Sequence, residues 1–353
     1  MAIYRNPVGS QLTTEPNRPD QMEKSNAVSA HFPEILSELA TEVKHGLAKT
    51  PKRLSSRFFY DDEGSRLFEE IMHLPEYYLT RSEYEILETH KDELLRVFSA
   101  GDRPFELIEL GAGDGLKTKV LLGHFWSEKA NFTYAPVDIS RAAVDKLADD
   151  IRKKWPQMEI QPQHDDYFNA IERLSNRSPT RQDRPRLVVL FLGSNIGNFS
   201  PAEAADFFGK ISQSLQPGDL VLTGFDLQKH PAVIHAAYND RQGLTKAFNL
   251  NLLRRINREL EANFDLSAFD HYETYNPETG EARSYIVSQK EQTVLIGNLN
   301  QRVHFDYGEI IHTEISRKFT RAGIEQLAQQ AGFKLSHWLT DCKHYFADVI
   351  FRK

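Results

Sequence analysis

One cysteine, Cys342, stands in 353 residues. A lone thiol closes no internal disulfide and builds no multi-thiolate metal site, so a reducing, cytoplasmic setting and a metal-free protein are expected. Thirteen histidines contain no H-E-x-x-H pattern, and His230, His235 and His312 have no ligand spacing with the cysteine. Long apolar runs are missing too. Nowhere do about 18 apolar residues follow one another, and no apolar h-region follows the start, so neither a membrane span nor a signal peptide is expected. Positive charge is in deficit, at a formal net charge of −7. Nucleic acids and anionic membranes are bound through clustered cations, so neither is an expected partner. The basic stretch "LLRRINREL" is offset by Glu259 and Glu261 and reads as a solvated helix face. A small-molecule partner and a monomeric chain remain.

What is present suits a globular enzyme: 40% apolar and 26% charged residues, enough for a large core. The length implies one large α/β domain with an accessory unit. Residues 1–29, polar and proline-bearing, read as a loose tail. Residues 30–100 carry helical apolar spacing, as in "FPEILSELATEVKHGL", and read as a mostly helical N-terminal part. Across 101–230, β-type runs such as "FELIEL", "NFTYAPV" and "RLVVLFL" alternate with helical segments, which means βαβ units on a parallel sheet. Over 231–315 a long helix precedes alternating segments around "NPETGE" that read as a hairpin, an inserted α+β unit. Residues 316–353 return to the core with a helix and two strands.

The chemistry starts at "ELGAGDGLKT". A P-loop and a dinucleotide fingerprint both need a glycine at position 116, where Leu116 stands. The [ED]-x-G-x-G-x-G turn that holds S-adenosylmethionine (SAM) is satisfied by Glu109, Gly111, Gly113 and Gly115. Its ligand has no phosphate, so bare backbone at a strand's carboxyl end is sufficient. The acidic residue ending the next strand, Asp138, is expected on the ribose hydroxyls; taken alone it would equally cap the following helix. "QHDDYF" offers Asp166 and Tyr167 to the adenine.

Seven landmarks extend the pattern over nearly the whole chain after residue 30: "FFYDDEGSRLFEEIMHLPEYYLTRSEYEIL", "ELGAGDGLKTKVLL", "PVDIS", "LFLGSNIGNF", "GFDLQKHP", "AYNDRQGLTKAFNLNLLRRINRELEANFD" and "TEISRKF". In this order they resemble the SAM-dependent histidine Nα-methyltransferases that begin ergothioneine biosynthesis. The resemblance implies a Rossmann-like class I methyltransferase core with a separate substrate domain, and three methylations of the α-amine to give hercynine. It places cofactor contacts on Tyr60, Gly111, Lys117, Asp138, Asp166 and Tyr167. It places L-histidine contacts on Tyr77, Asn198, Tyr238, Glu314 and Ser316. Asn198 and Tyr238 would hold the carboxylate, Tyr60 and Asn198 would orient the amine, and Glu314 and Ser316, assisted by Tyr77, would read the imidazole.

These assignments make chemical sense. Methyl transfer from SAM is an in-line displacement, so the protein mainly positions a neutral amine, and no catalytic dyad or metal is expected. Glu314 and Ser316 lie two apart in a strand-like segment and share a face. A carboxylate and a hydroxyl together satisfy the N–H and the lone pair of a neutral imidazole. Two positions depart from the family pattern. Ser284 stands where an apolar residue is expected against the substrate ring, and Asn195 varies beside the cofactor. The alternatives are a relative acting on another amino acid, for which Glu314 is a poor ring partner, and a SAM-binding protein without activity.

Overall fold

The computed structural model describes residues 32–176 and 184–353; the expected N-terminal tail lies outside them. In chain order the strands are β1 (Lys52–Arg53), β2 (Phe105–Leu110), β3 (Phe132–Asp138), β4 (Gln163–His164), β5 (Arg186–Phe191), β6 (Leu220–Asp226), β7 (Phe269–Asn276), β8 (Glu281–Ser288), β9 (Gln292–Ile296), β10 (Gln301–Phe305), β11 (Ile310–Arg317), β12 (Lys334–Thr340) and β13 (Phe346–Arg352).

Seven strands form the main sheet in the order β12-β13-β6-β5-β2-β3-β4. From β6 to β4 all neighbours pair in parallel, while β13 runs antiparallel between β6 and β12. Helices connect the parallel strands and cover both faces, so β2 and β5 are buried at every residue. Alternation along β2 sends Leu107 into one apolar cluster and Ile108 and Leu110 into the other. The helix Pro201–Ser214 begins at a capping box of Ser200 and Glu203, which ends the loop after β5 at a defined point.

The second sheet, β1-β11-β8-β7, is built mostly from the expected insertion and includes the predicted hairpin, β7 with β8. The β9–β10 hairpin stands beside it. The edge strand β1 pairs in parallel with β11, so a segment some 260 residues away in the chain completes this sheet. Alternation gave no hint of a two-residue strand. Strand β11 also runs through to Arg317, past the expected division at 315.

The helix Leu244–Leu260 packs across the second sheet, and here the structure corrects the reading of its arginines. Arg255 is buried at 8% exposure, its guanidinium bonded to the Phe58 carbonyl and to Glu259. Arg258 reaches Asp61 at 2.7 Å. Two of the cations therefore tie this helix to the segment around Phe58–Asp61; Arg255 leaves the expected solvated face, while Arg254 and Arg258 stay exposed on it.

The sheets meet at the carboxyl edge of the main one. Phe319 N–H donates to the Asp226 carbonyl at 2.8 Å, and a Cβ on Gly197 would come 2.8 Å from the Arg317 carbonyl oxygen. Strand β11 is thereby held against the loops that follow β5 and β6.

Candidate active site

Strand β2 ends in the glycine turn, where Gly111, Gly113 and Gly115 have φ of 72°, 53° and 65°. These are left-handed values that strain any residue with a Cβ. At Gly111 a Cβ would also approach the Tyr167 hydroxyl to 2.8 Å, and at Gly115 the Leu147 side chain to 2.7 Å. The turn is braced from beneath by Glu109. Its buried carboxylate accepts the hydroxyls of Thr118 and Tyr134, and burial lifts its pKa to about 7.

Asp138 closes β3. One carboxylate oxygen accepts Ser140 N–H at 2.9 Å, while Ser140 itself caps the next helix through Ala143 N–H. The other oxygen has no partner among the described residues. Tyr167 faces the same place: burial, then the Asp138 charge, push its hydroxyl to about 12. Ile139, directly after Asp138, is 76% exposed, an apolar surface left uncovered beside the carboxylate. Bare turn, free carboxylate oxygen and apolar flank suit an adenosyl ligand. Asp166 caps its own helix: one carboxylate oxygen accepts Phe168 and Asn169 N–H, both at 3.0 Å, and the other accepts the Asn169 amide, while the side chain stays exposed with acceptor capacity to spare.

Lys117 is likewise engaged. Its ammonium pairs with Glu83, a carboxylate with 1% side-chain exposure that also accepts Gly193 N–H at 2.8 Å. Glu83, which the sequence reading missed, thus joins the cofactor turn to the loop after β5. That loop carries Ser194 in the left-handed region and then the short helical turn Asn195–Asn198. The Asn195 amide donates to the Leu192 carbonyl, giving this variant residue a structural task.

Beside the turn opens a concave pocket with both polar and apolar lining, the kind of surface on which small molecules bind. Tyr60, Tyr77, Asn198, Tyr238, Glu314 and Ser316 all line it, with Gly193 and Asn195 toward the cofactor side. Its wall is aromatic: Tyr60 meets Phe68 and Phe248 edge-on at 5.5 Å, and Tyr77 meets Tyr238 at 6.3 Å. Glu314 and Ser316 share a face of β11, just past a register shift between His312 and Glu314. Burial lifts Glu314 to about 7, with Lys318 opposing.

The Tyr238 and Ser316 hydroxyls are 2.7 Å apart. Behind both sits Lys318, 1% exposed, bonded to Tyr238 at 2.6 Å, to Ser316 at 2.7 Å and to Asp226 at 2.9 Å. Lys318 was legible in principle: positions 314, 316 and 318 continue one alternating face. Ser284 does not line the cavity. It lies across from Glu314 in the sheet and donates at 2.7 Å to Glu273, its neighbour on the other side, a carboxyl that burial pushes up to about 8.

The strand order, with its single antiparallel strand, and the glycine turn with an acidic residue ending the adjacent strand define a Rossmann-like class I SAM methyltransferase. A family described as histidine-specific methyltransferase, SAM-dependent, matches residues 39–353. Histidine N-alpha-methyltransferase of Mycolicibacterium smegmatis is 35% identical over 303 residues, which cover 86% of this chain and 91% of that one. The enzyme of the same name from Mycobacterium tuberculosis is 35% identical over 317 residues, 89% and 95% of the two chains. Ergothioneine biosynthesis protein 1 of Schizosaccharomyces pombe is 30% identical over 286 residues, 80% of this chain and 36% of its own length. The chain belongs to the family of SAM-dependent, histidine-specific methyltransferases.

Proposed function

We propose that this protein transfers methyl groups from SAM to the α-amino nitrogen of L-histidine, up to the trimethylated product hercynine, the first step of ergothioneine biosynthesis. The observation that carries the substrate reading is the pairing of Glu314 with Ser316 on one wall of an aromatic cavity beside the glycine turn. Two polar groups on one face match the two nitrogens of one ring. A site so built rejects rings lacking those nitrogens by roughly 10⁴-fold, because Glu314 would stay buried and unpaired.

SAM, when bound, supplies the electrophilic methyl group. The chain holds it with the Gly111–Gly115 turn, the Asp138 carboxylate and Tyr167. Lys117, through Glu83, keeps the turn and the Gly193 loop in register. Asn198 and Tyr238 take the substrate carboxylate, and Asn198 with Tyr60 aims the amine. Tyr60 as a whole is about half exposed, at 48%, but its hydroxyl is turned inward, where desolvation and the charge of Glu314 raise its pKa, so it stays protonated and orients the amine without acting as a base. Rate comes from placing the amine in line, at which a positioned pair of groups gains most.

The test is direct. The purified protein is incubated with SAM and a mixture of the twenty amino acids, and products are read by mass spectrometry. Histidine gaining up to three methyl groups is expected; methylation of a different amino acid, or of none, overturns the proposal.

A further inference from the structure

A free amino acid brings a carboxylate into the pocket, yet none of the residues lining it is a lysine or arginine. The nearest cation on the substrate sheet stands one layer back. Lys318 has three N–H donors and no acceptor, and its three partners are the Tyr238 hydroxyl, the Ser316 hydroxyl and Asp226. Both hydroxyl oxygens therefore accept from Lys318. At 2.7 Å from each other, one of the two must also donate to the other. Two hydroxyls then have one hydrogen left to offer the substrate.

We infer that Lys318 is the positive pole of the substrate pocket and acts through these hydroxyls, making Tyr238 the donor to the α-carboxylate and leaving Ser316 an acceptor for the imidazole N–H. This rests on the histidine reading and deepens it. A carboxylate only accepts, so the one outward hydrogen belongs on Tyr238, and Ser316 gives its own to Tyr238. A hydroxyl that accepts from an ammonium is also the better donor. The ring lone pair is left to Glu314, which meets it in the protonated form. Burial favours that form, and the titratable groups around it are the Tyr60, Tyr77 and Tyr238 hydroxyls, Lys318 and Glu273.

Lys318 is a positioning residue, and its substitution is tolerable because Asp226 keeps the Tyr78 hydroxyl at 2.8 Å and the Lys229 ammonium. Steady-state kinetics with histidine and with histidinamide, which lacks the carboxylate charge, read the effect. Lys318→Met is expected to raise KM for histidine about 10- to 100-fold, the loss of one charge-assisted bond. Turnover and S-adenosylhomocysteine affinity should stay near wild type, and the preference for histidine over histidinamide should collapse. Combined with Tyr238→Phe, the KM effect should be no larger than either alone, since both remove one device. If Lys318→Met yields no folded protein, Lys318→Gln carries the same comparison. A wild type that turns over no histidine overturns the functional reading and this inference together. A variant that loses both substrates equally, keeps the carboxylate preference, or adds independently to Tyr238→Phe overturns this inference alone.

Discussion

Glu83, in the helix Tyr78–Phe98, accepts the Gly193 amide at 2.8 Å across 110 residues of sequence. The same carboxylate holds Lys117, so one buried side chain fastens the cofactor turn to the loop that carries Asn198. Its space is reserved: a Cβ on Gly224 would fall 2.1 Å from a Glu83 oxygen. Removing one partner of a buried ion pair strands the other. Glu83→Ala is expected to cost about 3 kcal/mol in urea unfolding, and Glu83→Gln, which still accepts from Gly193, clearly less. Equal costs for the two would detach the effect from the Gly193 bond.

Asp138→Ala should weaken S-adenosylhomocysteine binding about 10- to 100-fold in calorimetry, because hydrogen bonds to a charged group contribute about 1.5–3 kcal/mol. Asp138→Asn, which retains the acceptor toward Ser140 N–H, should fold normally and bind in between. An unchanged affinity in both variants rejects the ribose assignment and leaves only the turn-forming role.

Protonated Glu314 gives a pH signature. With its pKa at about 7, KM for histidine is expected to rise as pH climbs from 7 to 9, since ionised Glu314 offers no donor to the ring lone pair. Glu314→Gln keeps an N–H donor and should lose that rise, while Glu314→Ala should raise KM at every pH. The difference between the wild-type and Gln profiles isolates Glu314 from titration of the substrate amine. A wild-type KM that falls over the same range would mean that the carboxylate form binds the ring.

Glu273 makes a separate claim on stability. Its carboxyl is pushed up to about 8 by burial, from an ordinary value near 4.5, and one oxygen has no hydrogen-bond partner. The folded state therefore keeps a proton that the unfolded chain releases first. Rising pH between about 4.5 and 8 then draws the equilibrium toward unfolding. Glu273→Gln should flatten the decline in Tm between pH 5 and pH 8 and leave the variant more stable than wild type at pH 8. Parallel Tm profiles for the two proteins would refute this.

The core was readable because each of its signals is local. "FELIEL" and "RLVVLF" are apolar enough to be buried on both faces, the capping and turn residues fall where chain direction changes, and no residue but glycine sits easily at φ of 72° in the turn after β2. Alternation along one strand showed that Glu314 and Ser316 share a face, but taken alone that face reads as a solvated edge, and only likeness to a family marked it as a ring-binding wall. Lys117 was nominated from likeness to a family, and Asp166 from its place after the third strand-like run as well, but what their side chains hold was not visible. Lys117 is paired by a helix 34 residues earlier, and Asp166 turns back on its own helix.

Composition and periodicity thus determined that this chain builds a parallel sheet with a glycine turn and an acidic strand end, because those demands are satisfied within a few residues of backbone. Tertiary structure alone decided which polar groups share the pocket and which way their hydrogens point. Lys318 meets Tyr238 only because β11 is pressed against the carboxyl edge of the main sheet, and Glu83 meets Gly193 only because a helix crosses the same edge. Buried donors and acceptors must find partners wherever the fold brings them together, and those partners come from segments about 80 to 110 residues apart.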